Sequence, residues 1–221
     1  MTKKEEALRK KEEKLAAERA RLDSMKEYER KYARYALICG VDEAGRGPFA
    51  GPVAAGAVIL DLKDPDKEIL YLNDSKKLSE KKREALYGEI CEKAVAWGVG
   101  IIDNHVIDEI NILQATYAAM RLAVENLGAE PDFILADAVH IPGIDIEQEG
   151  IVKGDAKSVS IAAASIIAKV TRDRIMLEYD KMYPEYGFAS HKGYGTKAHI
   201  EALKKYGPLD IHRKTFIHKY I

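Results

Sequence analysis

Residues 36–48 have the sequence ALICGVDEAGRGP, an apolar run followed by two acids and a glycine-rich turn. The apolar run, residues 36–41, predicts a buried strand, and Asp42 and Glu43 follow it directly. Glycines after a strand allow a sharp turn because they adopt backbone conformations that other residues disfavour. Adjacent residues of an ideal strand point to opposite faces, so both acids can reach one site only if the chain bends there. We therefore expect a strand that carries acidic side chains to one edge of a sheet.

Downstream of this stretch, predicted helices and strands follow one another. Strands are expected over residues 53–60, 94–102, 133–136 and 151–152, and helices over residues 79–93, 111–127, 158–181 and 196–206. The first half of the 158–181 helix is small and apolar on every face, which is typical of a helix buried against a sheet. This order of elements predicts an α/β layer structure with a mixed sheet.

Residues 2–34 contain no Gly or Pro and are rich in Lys, Glu, Ala and Leu, which predicts one long helix. Leucines recur every seven residues, at positions 8, 15 and 22. Lys11 and Glu18 occupy the other seam positions, so the pattern is too poor for a coiled coil. Tyrosines at positions 28, 32 and 35 form a stripe that we expect to dock on the main domain. The alternative is a solvated extension.

The composition is that of a globular protein. The chain has 221 residues, 47% of them hydrophobic, which suits one domain with an appendage or two small domains. Cys39 and Cys91 lie in apolar runs without metal-ligand spacing, so we expect buried thiols in a reducing compartment. No run approaches the roughly 20 apolar residues of a membrane span. Residues 1–14 are densely charged, unlike a secretory signal, and we expect a soluble, cytoplasmic protein with no membrane partner.

The net charge of −1 conceals an uneven distribution of charge. Residues 1–35 carry 12 Lys and Arg against 8 Asp and Glu, and residues 181–221 carry 8 against 3. Residues 36–180 carry 15 against 25. An acidic centre with basic ends suits a protein that collects cations at one site and contacts phosphates around it. The same asymmetry also occurs in proteins that bind neither.

Acidic residues fall where predicted strands or buried segments end. Asp42 with Glu43, Asp137 and Asp155 each occupy such a position, and ligand sites of α/β sheets form at that edge. Several carboxylates at one edge repel one another unless a cation lies between them, and Mg²⁺ and Mn²⁺ prefer oxygen ligands. The alternative for each acid is a turn or capping role; Asp155, for example, could stabilise the N-terminus of the helix that follows it.

Three polar loops are candidates for contact with a phosphate backbone. The turn Gly45-Arg46-Gly47 can bring backbone N–H groups close to a phosphate or sugar, although its spacing matches neither a Walker loop nor a dinucleotide fingerprint. Residues 191–196, HKGYGT, combine cations, an aromatic ring and glycines, which suits stacking on a sugar or base. Residues 73–77, NDSKK, form a basic loop before a helix. Structural turns and solvated linkers are the alternatives.

Together these segments resemble the sequence blocks of the ribonuclease HII family. Residues 40–48, GVDEAGRGP, are similar to the block that opens its catalytic domain. Later blocks follow in the family's order, at residues 74–78, 154–156, 161–173, 191–196 and 211–213. The resemblance runs from residue 36 to residue 216. It implies a ribonuclease H-like mixed sheet flanked by helices (residues 36–182), with an N-terminal helical extension (1–35) and a C-terminal helical segment that completes the substrate-binding surface (183–221).

The resemblance also implies the residues of the site. Matched position by position, the catalytic residues and ligands of two divalent ions, Mn²⁺ or Mg²⁺, would be Asp42, Glu43, Asp137 and Asp155. The substrate-binding residues would be Gly45, Arg46, Gly47, Asn73, Ser75, Lys76 and Tyr194. Tyr194 would lie beneath the sugar next to the cut and help to distinguish ribose from deoxyribose, since the 2′-OH is the group that separates RNA from DNA. Residues 138–143 depart from the family's pattern, and Asp145, Glu147 and Glu149 nearby compete for the role of third carboxylate. We choose Asp137 because it ends an apolar strand.

The implied reaction is phosphodiester hydrolysis with two ions roughly 3.5–4 Å apart, Asp42 bridging them. Its substrates would be RNA–DNA hybrids and duplex DNA with embedded ribonucleotides, cut on the 5′ side of a ribonucleotide to leave 3′-OH and 5′-phosphate ends. One alternative is another nuclease of the same fold, such as a junction resolvase, which would not need a 2′-OH. Others are a hybrid-binding module whose acids serve only structure and a phosphohydrolase of small nucleotides. We expect a monomer.

Overall fold

A five-stranded mixed sheet forms the centre of the protein, and a computed structural model describes residues 2–221. The strands are β1 (Ile38–Ala44), β2 (Val53–Ile59), β3 (Ala96–Ile102), β4 (Phe133–Asp137) and β5 (Gln148–Ile151). Their order in the sheet is β3-β2-β1-β4-β5. The β3–β2 and β2–β1 pairs are antiparallel, whereas the β1–β4 and β4–β5 pairs are parallel. The predicted mixed α/β sheet is therefore confirmed.

Helices cover both faces of this sheet. The helices of residues 2–221 are α1 (Lys3–Ser24), α2 (Glu27–Lys31), α3 (Glu80–Lys93), α4 (Asn104–Glu125), α5 (Val159–Met182), α6 (Phe188–His191), α7 (Lys197–Tyr206) and α8 (Lys214–Ile217). α4 packs on one face, and α5 with α3 on the other. The side chains of Ser79, Ser158 and Thr196 cap α3, α5 and α7 by accepting an N–H of the first turn, which is the preferred role of Ser and Thr at that position. Within residues 2–221, no helix has both the length and the hydrophobicity that crossing a membrane requires.

Side chains alternate along β2, so this strand contributes to two apolar cores, one on each face of the sheet. Val53 and Ile59 belong to the core under α4, whereas Val58 belongs to the core under α5. A glycine allows the sheet to approach α5 closely. A Cβ on Gly40 of β1 would lie 2.1 Å from the backbone carbonyl carbon of Ser160 in α5. The absence of a side chain there lets the N-terminal turn of α5 lie directly on β1.

The N-terminal extension is not the single helix that its composition predicts. α1 ends at Ser24 and α2 begins at Glu27, and the break at Met25 separates two contacts. Leu22 and Met25 are buried in the α3–α5 core. The tyrosine stripe, by contrast, packs beside Phe133 of β4, with the rings of Tyr32 and Tyr35 centred 4.0 and 4.8 Å from the Phe133 ring. The predicted docking of the second half of the extension is confirmed.

Two further differences concern α4 and the last strand. A helical segment that begins at Asn104 and was not predicted precedes the helix expected from residue 111, and Asn111, with a positive φ of 67°, separates the two. The Asn111 side chain accepts the N–H groups of Leu113 and Gln114, so this residue caps the second half of α4. The last strand lies at Gln148–Ile151 rather than at residues 151–152.

The chain after α5 folds back onto the turn that follows β1. Met176, Phe188 and Leu203 form a separate apolar cluster with Ala50. An antiparallel bridge also joins Ala50 to His212. The C-terminal segment is thereby held against the end of β1 where the acidic pair lies.

Candidate active site

Two of the predicted acids lie side by side because of strand register. Val41 of β1 pairs with Ala136 of β4, so the following residues, Asp42 and Asp137, are neighbours on adjacent parallel strands. Val41 and Ala136 both point into the core under α4. Since side chains alternate along a strand, Asp42 and Asp137 both belong to the opposite face, where α5 lies.

The third acid comes from the turn that precedes α5. Asp155 lies in a short 3₁₀ turn, Gly154–Ala156. The Gly154 N–H donates to Oδ1 of Asp137 at 2.6 Å, which ties this turn to β4. Carboxylate oxygens of Asp42, Asp137 and Asp155 all lie within 4.8 Å of one another. Asp42 and Asp155 are only 6% and 8% exposed, so the structure brings three of the four predicted carboxylates into one half-enclosed group.

Burial and mutual repulsion raise the proton affinity of this acidic group. Burial, together with the negative charges of Glu43 and Asp137, raises the pKa of Asp42 well above its usual value. Burial also raises the pKa of Asp155, and the charges of Asp74 and Asp137 add to the effect. A divalent cation would remove this repulsion, and a set of hard oxygen donors fits Mg²⁺ or Mn²⁺.

Glu43 lies outside the group of three. It remains in regular strand, paired with Ala55 of β2, so it does not share the face of Asp42. Its Oε1 lies 3.5 Å from Nη1 of Arg46. Burial raises the pKa of Glu43, the Arg46 charge opposes this, and the charge of Asp137 adds to it. The bend that would turn both acids to one point does not occur within β1, and Glu43 as a metal ligand stays a prediction.

The acids that compete for the third position lie elsewhere. Glu149 pairs with Lys31 at 2.9 Å and Glu147 with Arg34 at 3.5 Å, both in the N-terminal extension. Asp145 is exposed in the loop before β5. None of these three acids belongs to the acidic group.

The predicted basic loop brings a positive charge to the acidic group. Burial alone would lower the pKa of Lys76, but the charges of Asp42, Asp74 and Asp155 outweigh it and raise that pKa. Asp74, whose role the sequence did not reveal, accepts the Lys76 N–H at 2.9 Å, and its negative charge helps to raise the pKa of Asp155. Lys76 therefore supplies a positive charge that the three carboxylates stabilise.

The neighbouring residues of this loop are held by the protein itself. Asn73 accepts the Asp74 N–H through its Oδ1 at 2.9 Å, and Ser75 is only 5% exposed. Arg83 of α3 donates to the carbonyl oxygens of Ser75 and Leu78 at 3.0 and 2.5 Å. The loop thus has a defined shape in the free protein.

The glycine turn and Tyr194 form one exposed surface. Gly45 has a φ of 96°, which favours glycine. A Cβ on Gly47 would lie 3.6 Å from Cε1 of Tyr194, so the ring adjoins the turn. Arg46 and Gly47 are exposed, and within residues 2–221 their N–H groups donate to no acceptor. Their amides are free to bind a ligand.

Two buried arginines behind this surface have no predicted role. Arg172 and Arg213 are 1% and 0% exposed. Arg172 donates to the carbonyl oxygens of Ala50, Pro52 and Lys192. Arg213 donates to those of Gly45, Arg46 and Gly51. Both lie in sequence blocks already noted, but bonds to backbone oxygens leave no signal in a sequence.

A mixed sheet whose central strand carries buried carboxylates, beside a lysine and an exposed glycine turn, defines a metal-dependent nuclease with a ribonuclease H-like fold. The family model of ribonuclease HII matches residues 39–220. The chain belongs to the ribonuclease HII family and is a metal-dependent endoribonuclease that cuts the RNA strand of RNA–DNA hybrids.

Known proteins of this family resemble this chain in sequence and in fold. A ribonuclease HII of Lachnoclostridium phytofermentans is 63% identical over 205 residues, covering 93% of this chain and 80% of that protein. A ribonuclease HII of Clostridioides difficile is 56% identical over 212 residues, covering 95% and 82%. The crystal structure of ribonuclease H2 from Pyrococcus horikoshii superposes with a TM-score of 0.69 at 29% identity, covering 84% of this chain and 97% of that one.

Proposed function

We propose that the protein also cuts duplex DNA on the 5′ side of single embedded ribonucleotides, by two-metal hydrolysis that leaves 3′-OH and 5′-phosphate ends. The observation that carries this proposal is the position of the acidic group: Asp42, Asp137 and Asp155 converge within 4.8 Å. The glycine turn follows directly on the strand that carries Asp42.

Three carboxylates from three different elements suit the binding of Mg²⁺ or Mn²⁺, with Glu43 as a fourth ligand. Asp42, Asp137 and Asp155 would hold the ions, since their oxygens lie within 4.8 Å of one another. The family resemblance implies that Asp42 would be the ligand shared by both ions. Bound divalent ions would supply a water of lowered pKa and stabilise charge on the phosphoryl group and the leaving 3′-oxygen. Lys76 adds a positive charge beside them.

The surface around the acidic group suits a nucleic-acid strand. The free N–H groups of Arg46 and Gly47 can donate to sugar or phosphate oxygens. The Tyr194 ring, 45% exposed, offers a flat apolar face to the sugar next to the cut. Asn73, Ser75 and Lys76 lie on the other loop and would contact flanking phosphates. Because Tyr194 adjoins the turn, a ribose on the ring would place its 2′-OH near these donors.

The same proposal divides the chain into three parts. Residues 36–182 form the catalytic domain, residues 183–221 complete the substrate-binding surface through Tyr194, and residues 1–35 are an extension. The expected assembly is a monomer bound to an RNA–DNA hybrid or to ribonucleotide-containing duplex DNA.

The test is cleavage of a labelled DNA duplex that contains one ribonucleotide, beside an all-DNA duplex, with Mg²⁺ or Mn²⁺. We expect a single cut 5′ to the ribonucleotide, abolished by EDTA and by Asp42→Asn. Asp145→Asn, which removes an exposed carboxylate outside the acidic group, is the matched control and should keep full activity.

Each other outcome has a definite meaning. Equal cutting of both duplexes would indicate a nuclease that does not need a 2′-OH. If folded protein cuts a long hybrid but not the single ribonucleotide, the proposal of embedded-ribonucleotide cleavage is wrong. Binding without any cutting, unchanged by Asp42→Asn, would indicate a hybrid-binding module.

A further inference from the structure

The adjacent residues His212 and Arg213, both 0% exposed, are linked to the two halves of the surface formed by the glycine turn and Tyr194: Arg213 bonds the turn directly, and His212 reaches Tyr194 through His199. Arg213 donates through Nη2 to the Gly45 carbonyl at 2.6 Å and through Nη1 to the Arg46 carbonyl at 2.8 Å. In a trans peptide the C=O and the N–H point in opposite directions. Because Arg213 holds the carbonyls of the 45–46 and 46–47 peptides inward, the N–H groups of Arg46 and Gly47 are directed outward.

His212 acts on the other half through His199. The Tyr194 carbonyl can only accept, so His199 Nδ1, 2.9 Å away, must carry a proton. Burial lowers the pKa of both His199 and His212 to about 4, so each ring is neutral at pH 7 and has one N–H.

The proton positions along this chain follow from that constraint. His199 Nε2 is an acceptor, so His212 Nε2, 3.0 Å away, is the donor. His212 Nδ1 is then an acceptor and receives the Leu209 N–H at 2.8 Å. Its 3.2 Å contact with the Leu209 carbonyl is therefore not a hydrogen bond. An uninterrupted chain of donors runs from Leu209 through His212 and His199 to the backbone of Tyr194.

The segment that carries these two residues is itself anchored. Asn104 Nδ2 donates to the carbonyl oxygens of Asp210 and His212, and Asp108 accepts the N–H groups of Lys214 and Thr215. Within residues 2–221 the Arg213 guanidinium makes no ion pair. A buried cation without a carboxylate costs stability, so its three bonds to carbonyl groups point to a role in fixing geometry.

We propose that His212 and Arg213 are positioning residues that preset the glycine turn and the Tyr194 loop together, and thereby determine how strongly a ribonucleotide is preferred to a deoxyribonucleotide. The inference rests on the proposed function. It assigns the preference to contacts that never touch the substrate.

The first test measures the tautomers in the native protein by ¹⁵N NMR of the histidine rings. We expect His199 in the Nδ1–H form and His212 in the Nε2–H form at pH 7. Two rings in the same tautomer would overturn the proposed link between His212 and Tyr194. This measurement needs no variant and so does not depend on a substitution that fails to fold.

The second test measures binding of two duplexes, one with a single ribonucleotide and one all-DNA, with Ca²⁺ replacing the catalytic ion. Arg213→Lys keeps the charge but cannot form the three-bond fork, and His212→Asn removes the donor to His199. We expect each variant to lower the preference for the ribonucleotide duplex about tenfold or more, with Mn²⁺ affinity unchanged, because neither residue lies in the acidic group.

Three controls accompany these variants. Arg174→Lys and His218→Asn change exposed residues of the same types and should keep the preference. Ile90→Val, in the core under α5, lowers stability without touching the surface, so it should also keep the preference. If the native protein shows no preference, the proposed function fails. If the native protein shows it and both variants retain it, the positioning role is wrong.

Discussion

Asp42 combines burial, two acidic neighbours in its group and a hydrogen bond to its own strand. Its Oδ1 accepts the Glu43 N–H at 2.7 Å, a bond that an asparagine at this position would keep. Asp42→Asn should therefore preserve the fold, abolish cleavage and raise the melting temperature of the metal-free protein, because it removes a repelling charge. For a chain of this size we expect about 2–4 °C for each kcal/mol of repulsion removed. Calorimetry in EDTA measures the change in melting temperature between the native protein and the variant. A fall in melting temperature would show that the repulsion is not the dominant effect.

The raised pKa values of Asp42 and Asp155 predict the pH dependence of stability. In the range above the usual aspartate pKa of about 4, the folded metal-free protein binds more protons than the unfolded chain, so these two groups favour folding more as the pH falls. A bound cation must displace those protons. The rise in melting temperature on adding Mn²⁺ should therefore grow from about pH 5 to pH 8. Melting curves in EDTA and in Mn²⁺ test this, and a rise that is independent of pH would contradict it.

The Tyr194 hydroxyl makes no hydrogen bond within residues 2–221, whereas the ring adjoins Gly47. Tyr194→Phe should thus retain most activity on the single-ribonucleotide duplex. Tyr194→Ala should weaken substrate binding about tenfold, near the lower end of what stacking contributes. Tyr206→Phe, at another exposed tyrosine, is the control. A severe loss in Tyr194→Phe would show that the hydroxyl itself contacts substrate.

Among the elements, α2 supports the N-terminus of α5. Glu29 of α2 is 4% exposed and accepts the Ser158 hydroxyl at 2.6 Å and the Ser160 N–H at 3.0 Å. Glu29→Ala should cost about 1–3 kcal/mol in urea unfolding because it leaves these buried donors unpaired. Glu29→Gln keeps the accepting oxygen and should cost less. Glu27→Ala, exposed on the same helix, should be near neutral, and an equal loss in all three variants would exclude a specific cap.

Element positions were largely predictable because each depends on local patterns. Ser79, Ser158 and Thr196 begin their helices where the sequence predicts. The two differences have separate causes, one in tertiary packing and one in a local side-chain bond. The break at Met25 serves two separate packing surfaces, and Asn111 adopts a positive φ that its own side chain stabilises through two capping bonds.

The site was predictable in its residue types but not in its geometry. Strand ends identified Asp42 and Asp137, but the pairing of Val41 with Ala136 that makes them neighbours is a non-local register. The face of Glu43 depended on whether β1 bends, which the sequence left open. Asp74 acts through its charge on Asp155 of a distant turn, and Arg213 acts through bonds to backbone oxygens. No residue pattern encodes either effect.

For the whole molecule, the N-terminal extension, residues 1–35, contributes unequally along its length. Residues 2–14 are almost entirely exposed and pair only with one another, whereas Leu22, Met25 and the tyrosine stripe are packed. Deleting residues 2–14 should leave the melting temperature and hybrid cleavage unchanged. Deleting residues 2–35 should lower the melting temperature by several degrees, since roughly 2–4 °C accompanies each kcal/mol lost. Differential scanning calorimetry measures the melting temperatures of the two truncated proteins. If these are equal, the docked contacts add no stability.

The docking of the tyrosine stripe also dictates an order of events during synthesis. Residues 27–35 leave the ribosome well before the residues that they contact. Tyr32 packs on Phe133, more than a hundred residues later. Lys31 pairs with Glu149, 118 residues later, and Glu29 bonds to Ser158, 129 residues later. Until those residues emerge, the stripe has no native surface to cover. Closing so long a loop is slow. We therefore expect this segment to dock after its partners although it is translated before them, so that its docking requires the strand bearing Asp137 and the helix after Asp155 to be present.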